Sequence, residues 1–168
     1  MSGKSTMKIT QEADYALRMV CTLARRDAVA VAAGDEDPMP AASVMIGAAA
    51  LTQEVAVPTR FGLKILHRLA EDGVLAAGRG ATGGYYLAVH PEALTVRRII
   101  EAIDGPITIS RCLSDSHRCL HNPVKDHCRL HHVFGELNDL LTERLDRLTV
   151  SAVVDESVSL DDLLVLVR

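Results

Sequence analysis

Apolar positions along this chain recur mostly at helical spacing. After Thr10, which can cap a helix, Ala16, Met19, Val20 and Leu23 fall on one face, and Arg25-Arg26 suits the negative end of the helix dipole. The pattern then lapses. Residues 27–47 are Ala-rich and acidic with Pro38 and Pro40, and read mostly as a flexible connection, although Ala41 to Ala50 could begin the next helix. A short helix is predicted to run to about Glu54, with a turn through Val55–Val57. Pro58 then stands in the first turn of another helix, where its missing N–H has no intrahelical partner. That helix has Gly62, Ile65, Leu66 and Leu69 on one side and Arg60, Lys64, His67, Arg68 and Glu71 on another, and Gly73 stops it. The pattern is a helix-turn-helix whose second helix is basic.

Past Gly73 the period shortens. Val74 to Ala77 and Tyr85 to Val89 read as two short strands around Gly78-Arg79-Gly80-Ala81-Thr82-Gly83-Gly84, a hairpin or wing with Arg79 as the only charge in its loop. Thr95 is placed to cap a helix lined by Val96, Ile99, Ile100 and Ile103, which Gly105-Pro106 ends. A cysteine-bearing loop follows. Beyond it Leu130, Phe134, Leu137, Leu141, Leu145 and Leu148 recur three or four apart, with Val133 and Leu140 widening the stripe. So long an apolar stripe needs a partner surface, in the same chain or in a second copy. Ser159-Leu160-Asp161-Asp162 resembles a capping box opening a last short helix.

Composition adds that the core must be aliphatic, since aromatic residues make up 3% of the 168 residues and Trp is absent. The net charge of −4 would argue against a nucleic-acid partner if charge were spread evenly, and it is not. Residues 27–58 carry five acidic and no basic side chains, whereas residues 59–79 carry four basic and two acidic ones. A local basic surface can hold phosphate on an acidic chain. No apolar run is long enough to span a bilayer and residues 1–7 lack the apolar core of a signal peptide, so the expected compartment is the cytoplasm and no membrane partner is expected.

Two constellations carry chemistry. In a helix-turn-helix the early residues of the second helix reach base edges; here these are Thr59 and Arg60, with Lys64 a turn later and Arg68 beyond. An ordinary solvated face would look the same, but the wing shifts the balance, because a guanidinium at a glycine-rich tip fits a narrow minor groove. The second is Cys112, Cys119 and Cys128 in a C-x6-C-x8-C pattern, with His131 three residues on. Thiolates with one other ligand suit an iron–sulfur cluster. Zinc, a metal-free thiol switch and incidental cysteines are the alternatives, although gathering in one loop is unlike inert core cysteine, which Cys21 resembles. An enzyme is not expected: paired catalytic carboxylates, a nucleophile elbow and a phosphate loop are all missing, and an iron–sulfur electron carrier would leave the basic helix and wing unused.

Met7-Lys8-Ile9-Thr10 with Asp14-Tyr15-Ala16-Leu17-Arg18, the run from Val57 to Leu66, and Arg79-Gly80-Ala81-Thr82-Gly83-Gly84-Tyr85 resemble the Rrf2 family of bacterial repressors. The resemblance runs from about Met7 to Val150. It implies a homodimeric winged helix in which the long helix crosses to its mate, a pseudo-palindromic double-stranded DNA operator, and an iron–sulfur cluster sensing redox, nitric oxide or iron status. By position, Cys112, Cys119 and Cys128 match the family's cluster cysteines. His131 matches the histidine that completes the cluster in IscR-like members, and Asp14 the aspartate given by the opposite subunit in NsrR-like members. Both [2Fe–2S] and [4Fe–4S] stay open, since the cysteine spacings are longer than usual in the family, as is the 27–47 connection.

The fold expected is mainly α with a small β-hairpin: a winged helix-turn-helix at 7–106, a cluster loop at 107–132, and a long C-terminal dimerisation helix with a tail at 133–168.

Overall fold

The computed structural model describes residues 9–32, 45–78, 83–114, 119 and 127–166. Helix α1 (Gln11–Ala32) opens on Thr10, whose hydroxyl accepts from the Ala13 N–H at 3.2 Å. Ala13, Ala16, Met19, Val20, Leu23 and Ala24 make its buried face, as i, i+3, i+4 spacing requires. The helix continues to Ala32, so the connection expected from residue 27 is helical in its first part. Alanine and valine fill that last turn and a half. Alanine is the best helix former, which outweighs the lost amphipathic pattern.

Helices α2 (Ala48–Glu54) and α3 (Thr59–Glu71) form the helix-turn-helix. The turn between them holds Ala56 at φ 55°, in the left-handed region. Pro58 is the N-cap of α3, one position before the expected first turn. Gly62, Ile65, Leu66 and Leu69 are the buried residues of α3. The helix closes in a Schellman arrangement: Gly73, at φ 72°, donates to the Ala70 carbonyl at 3.2 Å, and Val74 donates to Leu69 at 2.9 Å.

Strands β1 (Leu75–Ala77) and β2 (Tyr85–Leu87) pair antiparallel with Leu75 opposite Leu87 and Ala77 opposite Tyr85, each strand shorter than its apolar run. Ile46 adds a rung on the other side of β2, exchanging hydrogen bonds with Tyr85 at 3.2 and 2.9 Å. A Cβ on Gly84 would lie 2.5 Å from the Ile46 carbonyl oxygen, so this close approach requires glycine.

Helix α4 (Val96–Asp104) is capped by the Thr95 hydroxyl, which accepts from Arg98 N–H, buries Ile99, Ile100 and Ile103, and ends at Gly105 with φ 78°. A 3-10 turn (Arg111–Leu113) leans on α5 (Arg129–Arg147), and the Asn138 side-chain oxygen of α5 accepts from Ile109 N–H at 3.0 Å. After α5 the chain doubles back. Thr149 pairs with Thr95, and α6 (Val150–Val154) packs on α1 with Val150 in the common core. The segment after residue 133 thus returns in part to the head. Ser159 then opens α7 (Leu160–Leu166), its hydroxyl accepting from Asp162 N–H at 3.1 Å. No helix among the described residues is long and apolar enough to cross a membrane.

Candidate nucleic-acid interface and cysteine loop

The buried side of α3 fixes which of its residues face outward. Thr59 and Arg60 are exposed, as are Leu63, Lys64 and His67. Arg60 has no ion-pair partner among the described residues, which leaves its guanidinium available. The Thr59 hydroxyl receives a hydrogen bond from buried Thr52 at 3.2 Å, joining α2 to the start of α3.

Lys64 and Arg68 are held differently. Both reach Glu12 of α1, at 3.0 Å each, and Arg68 also donates to the Ile103 carbonyl. The Arg68 guanidinium therefore ties α3 to α1 and to the end of α4, an internal role that its place in a basic run did not suggest. Glu12 is the residue sequence reasoning missed. It lies 52 and 56 positions from its partners, and no local pattern links them. Tyr15 and Phe61 reinforce the α1–α3 contact edge to face, with centroids 5.9 Å apart. Arg79, the expected wing-tip contact, lies outside the described residues; the hairpin stem that would present it is closed by Gly78 N–H donating to Gly84 at 2.9 Å.

In the cysteine loop, Cys112 sits on the 3-10 turn with its sulfur 3.2 Å from the Ser110 hydroxyl oxygen, and Cys128 is the N-cap of α5. Cys112, Cys119 and Cys128 are all half-buried. Residues 115–118 and 120–126 lie outside the described residues. Among the described ones, no three His, Cys, Asp or Glu side chains are grouped as a metal ion would require.

His131, one turn into α5, has a buried Nδ1 with no hydrogen-bond partner among the described residues, and its ring meets that of His132 at 6.0 Å between centroids. A buried imidazole nitrogen left unpaired is costly, and a ligand bond would satisfy it. Asp14 differs, because its carboxylate pairs with Arg18 at 3.0 Å. Burial pushes the Cys21 thiol of α1 up from its ordinary value, against a smaller lowering by Arg25, so this thiol is held neutral.

The far end of α5 is bonded to the helix-turn-helix part of the chain. Asp146 accepts from Arg97 of α4 at 2.7 Å, and the Arg97 Nε lies 3.2 Å from Glu101. These carboxylates, Asp146 first, hold the guanidinium above its ordinary pKa. Val96 N–H donates to the Leu148 carbonyl and Val150 N–H to that of Leu94, both at 2.8 Å. Along α5, Leu130, Val133, Leu137, Leu140 and Leu141 are exposed, an apolar stripe without a partner among the described residues.

Comparison with known proteins agrees with this architecture. The profile of the Rrf2 family, described as iron-dependent transcriptional regulators, matches residues 40–156. An rrf2-like HTH-type transcriptional regulator of Rhodobacter capsulatus is 31% identical over 150 residues, spanning 84% of this chain and 89% of its own. The HTH-type regulator IscR of Pectobacterium carotovorum is 24% identical over 155 residues, covering 92% and 84% of the two chains. Among solved structures, IscR of T. potens superposes with a TM-score of 0.63 at 17% identity, over 93% of this chain and 92% of that one. CymR, the global cysteine regulator of B. subtilis, gives 0.62 at 23% identity, over 89% and 97%. These relatives are regulators and not enzymes, and the chain belongs to the Rrf2 family of DNA-binding transcriptional regulators.

Proposed function

We propose that this chain is a homodimeric repressor whose operator affinity is set by an iron–sulfur cluster held by Cys112, Cys119, Cys128 and His131. The observation that carries this reading is the buried Nδ1 of His131, without a hydrogen-bond partner among the described residues, one turn beyond Cys128 in a segment bearing three half-buried cysteines. The donor set suits such a cluster, with three soft thiolates and one imidazole. Asp14 of the other subunit is the weaker fourth ligand, since its carboxylate already has Arg18. When bound, such a cluster supplies a redox-responsive set of iron–ligand bonds.

The chain's own residues would carry the change to DNA. Cys128 stands at the N-cap position of α5 and the turn bearing Cys112 leans on that helix, so fixing these sulfurs fixes where α5 begins. The other end of α5 is bound through Asp146 to Arg97 of α4, and α4 packs on α3. The stripe from Leu130 to Leu141 supports pairing of two α5 helices, which sets the distance between two copies of α3. A dimer matches two half-sites, so a small change in that distance alters affinity steeply. Thr59, Arg60 and Lys64 on α3 and Arg79 on the wing would meet the operator.

A second reading, a thiol switch without metal, is favoured by the contact of the Ser110 hydroxyl with the Cys112 sulfur at 3.2 Å. Anaerobic purification with iron, sulfide and zinc measured per chain separates the two. Iron with equal sulfide, lost in Cys128→Ala and in His131→Ala but kept in Asp14→Ala, is the expected result. Zinc alone, or no metal after reconstitution, would overturn the cluster reading.

A further inference from the structure

The outward ridge of α3 runs Arg60, Leu63, His67, at i, i+3 and i+7. Its middle member is a leucine with 43% of its surface exposed, and it is absent from the hydrophobic core and from the partly buried residues packed against it. The apolar needs of α3 are already met by Ile65, Leu66 and Leu69 on the opposite side. Leu63 cannot turn inward, because Gly62 beside it is pressed against Thr52 and Met19 and fixes the rotation of the helix.

The neighbours of Leu63 make it unlike an apolar patch awaiting a protein. Arg60, one turn before it, is a cation without an ion pair among the described residues, and Lys64 beside it is a second cation, bonded to Glu12. A single apolar side chain between cations on a major-groove helix matches what the groove itself presents. Its rim is phosphate, and its floor carries one apolar group, the C5-methyl of thymine.

We propose that Leu63 is a sequence-reading residue that takes the C5-methyl group of a thymine in each operator half-site. This rests on α3 being the recognition helix, and the test separates the two. Duplexes are first selected from a random pool with the full-length protein; failure to enrich any sequence would remove the DNA reading itself, and the proposal with it. With an enriched duplex in hand, each thymine of one half-site is replaced in turn by uracil, which removes only the methyl group, and affinity is titrated at fixed salt.

The wild-type protein should lose about fourfold at one thymine, the worth of one buried methyl group. Leu63→Ala should bind the unmodified duplex more weakly and be indifferent to uracil at that position. Leu63→Met should keep the sensitivity, and so should Arg60→Ala, which removes a charge and no apolar contact. A wild-type protein indifferent to uracil at every thymine would overturn the proposal. So would a Leu63→Ala protein that keeps the uracil effect, or one whose sedimentation shows a changed oligomeric state, since the leucine would then be a protein contact.

Discussion

Replacing Gly62 by alanine tests how tightly the two helices of the DNA-binding unit are packed. A Cβ there would collide with the Thr52 methyl group and come within 3.0 Å of the Met19 terminal methyl. Two effects oppose each other. Alanine in a helix interior gains about 1 kcal/mol over glycine, whereas forcing a methyl group into a filled core costs about 1–3 kcal/mol. Thr52 is fully buried and its hydroxyl is bonded to the Ala49 carbonyl and to Thr59, so it cannot swing away without breaking both bonds. Strain should therefore win, with a net loss of about 1 kcal/mol. Thr52→Ser keeps the hydroxyl and removes the obstructing methyl, at a cost of about 1 kcal/mol on its own. In the double variant the alanine methyl enters the vacated space, and stability should return to that of the unaltered protein or slightly above it. Urea unfolding followed by far-UV circular dichroism, at one protein concentration because association adds to apparent stability, gives the four corners of the cycle. Single effects that add within about 0.5 kcal/mol would refute the reasoning, since residues in such contact must couple.

The cations of α3 should separate by assay. Arg60→Ala should weaken operator binding and reduce the salt dependence by about one counterion, while Arg68→Ala, losing Glu12 and the Ile103 carbonyl, should lower stability by about 1 kcal/mol with the salt slope unchanged. Leu137→Glu, in the exposed stripe of α5, should yield monomers in sedimentation velocity with helix content retained. Cys21 bears on alkaline stability. Its thiol pKa is raised in the fold, so its contribution is complete below the ordinary thiol range and is lost as pH rises through the raised value. The urea midpoint should fall more steeply at high pH for the unaltered protein than for Cys21→Ala.

Local features were legible before the structure. The Thr10 and Thr95 caps, the stops at Gly73 and Gly105 and the buried face of α3 each depend on residues a few positions apart, and each is found where expected. What escaped depends on distance along the chain. The rung between Ile46 and Tyr85 needs a backbone approach that one isoleucine between Met45 and Gly47 does not announce. Glu12 looked like one more first-turn acid until folding set it against Lys64 and Arg68. The return of α6 to α1 was hidden because Val150 continues the same aliphatic vocabulary as α5. At the cysteine loop, residue types and spacing suggested ligands, while the unpaired nitrogen that favours His131 over Asp14 emerged only with side chains in place.

The Thr95–Thr149 bridge divides the chain by topology more sharply than by sequence. From Ile107 to Leu148 the chain makes an excursion that returns to the start of α4, whose Ile99 and Ile103 stay in the core. The entropy of closing a loop grows only with the logarithm of its length, about 0.6 kcal/mol per doubling. Residues inserted between Cys112 and Cys128 should therefore cost the core little. The head cannot be cut loose at residue 106, however, because Val150 fills its interior from beyond the excursion. A segment mounted in this way can be lengthened over evolutionary time, while the helix-turn-helix keeps one unchanging socket.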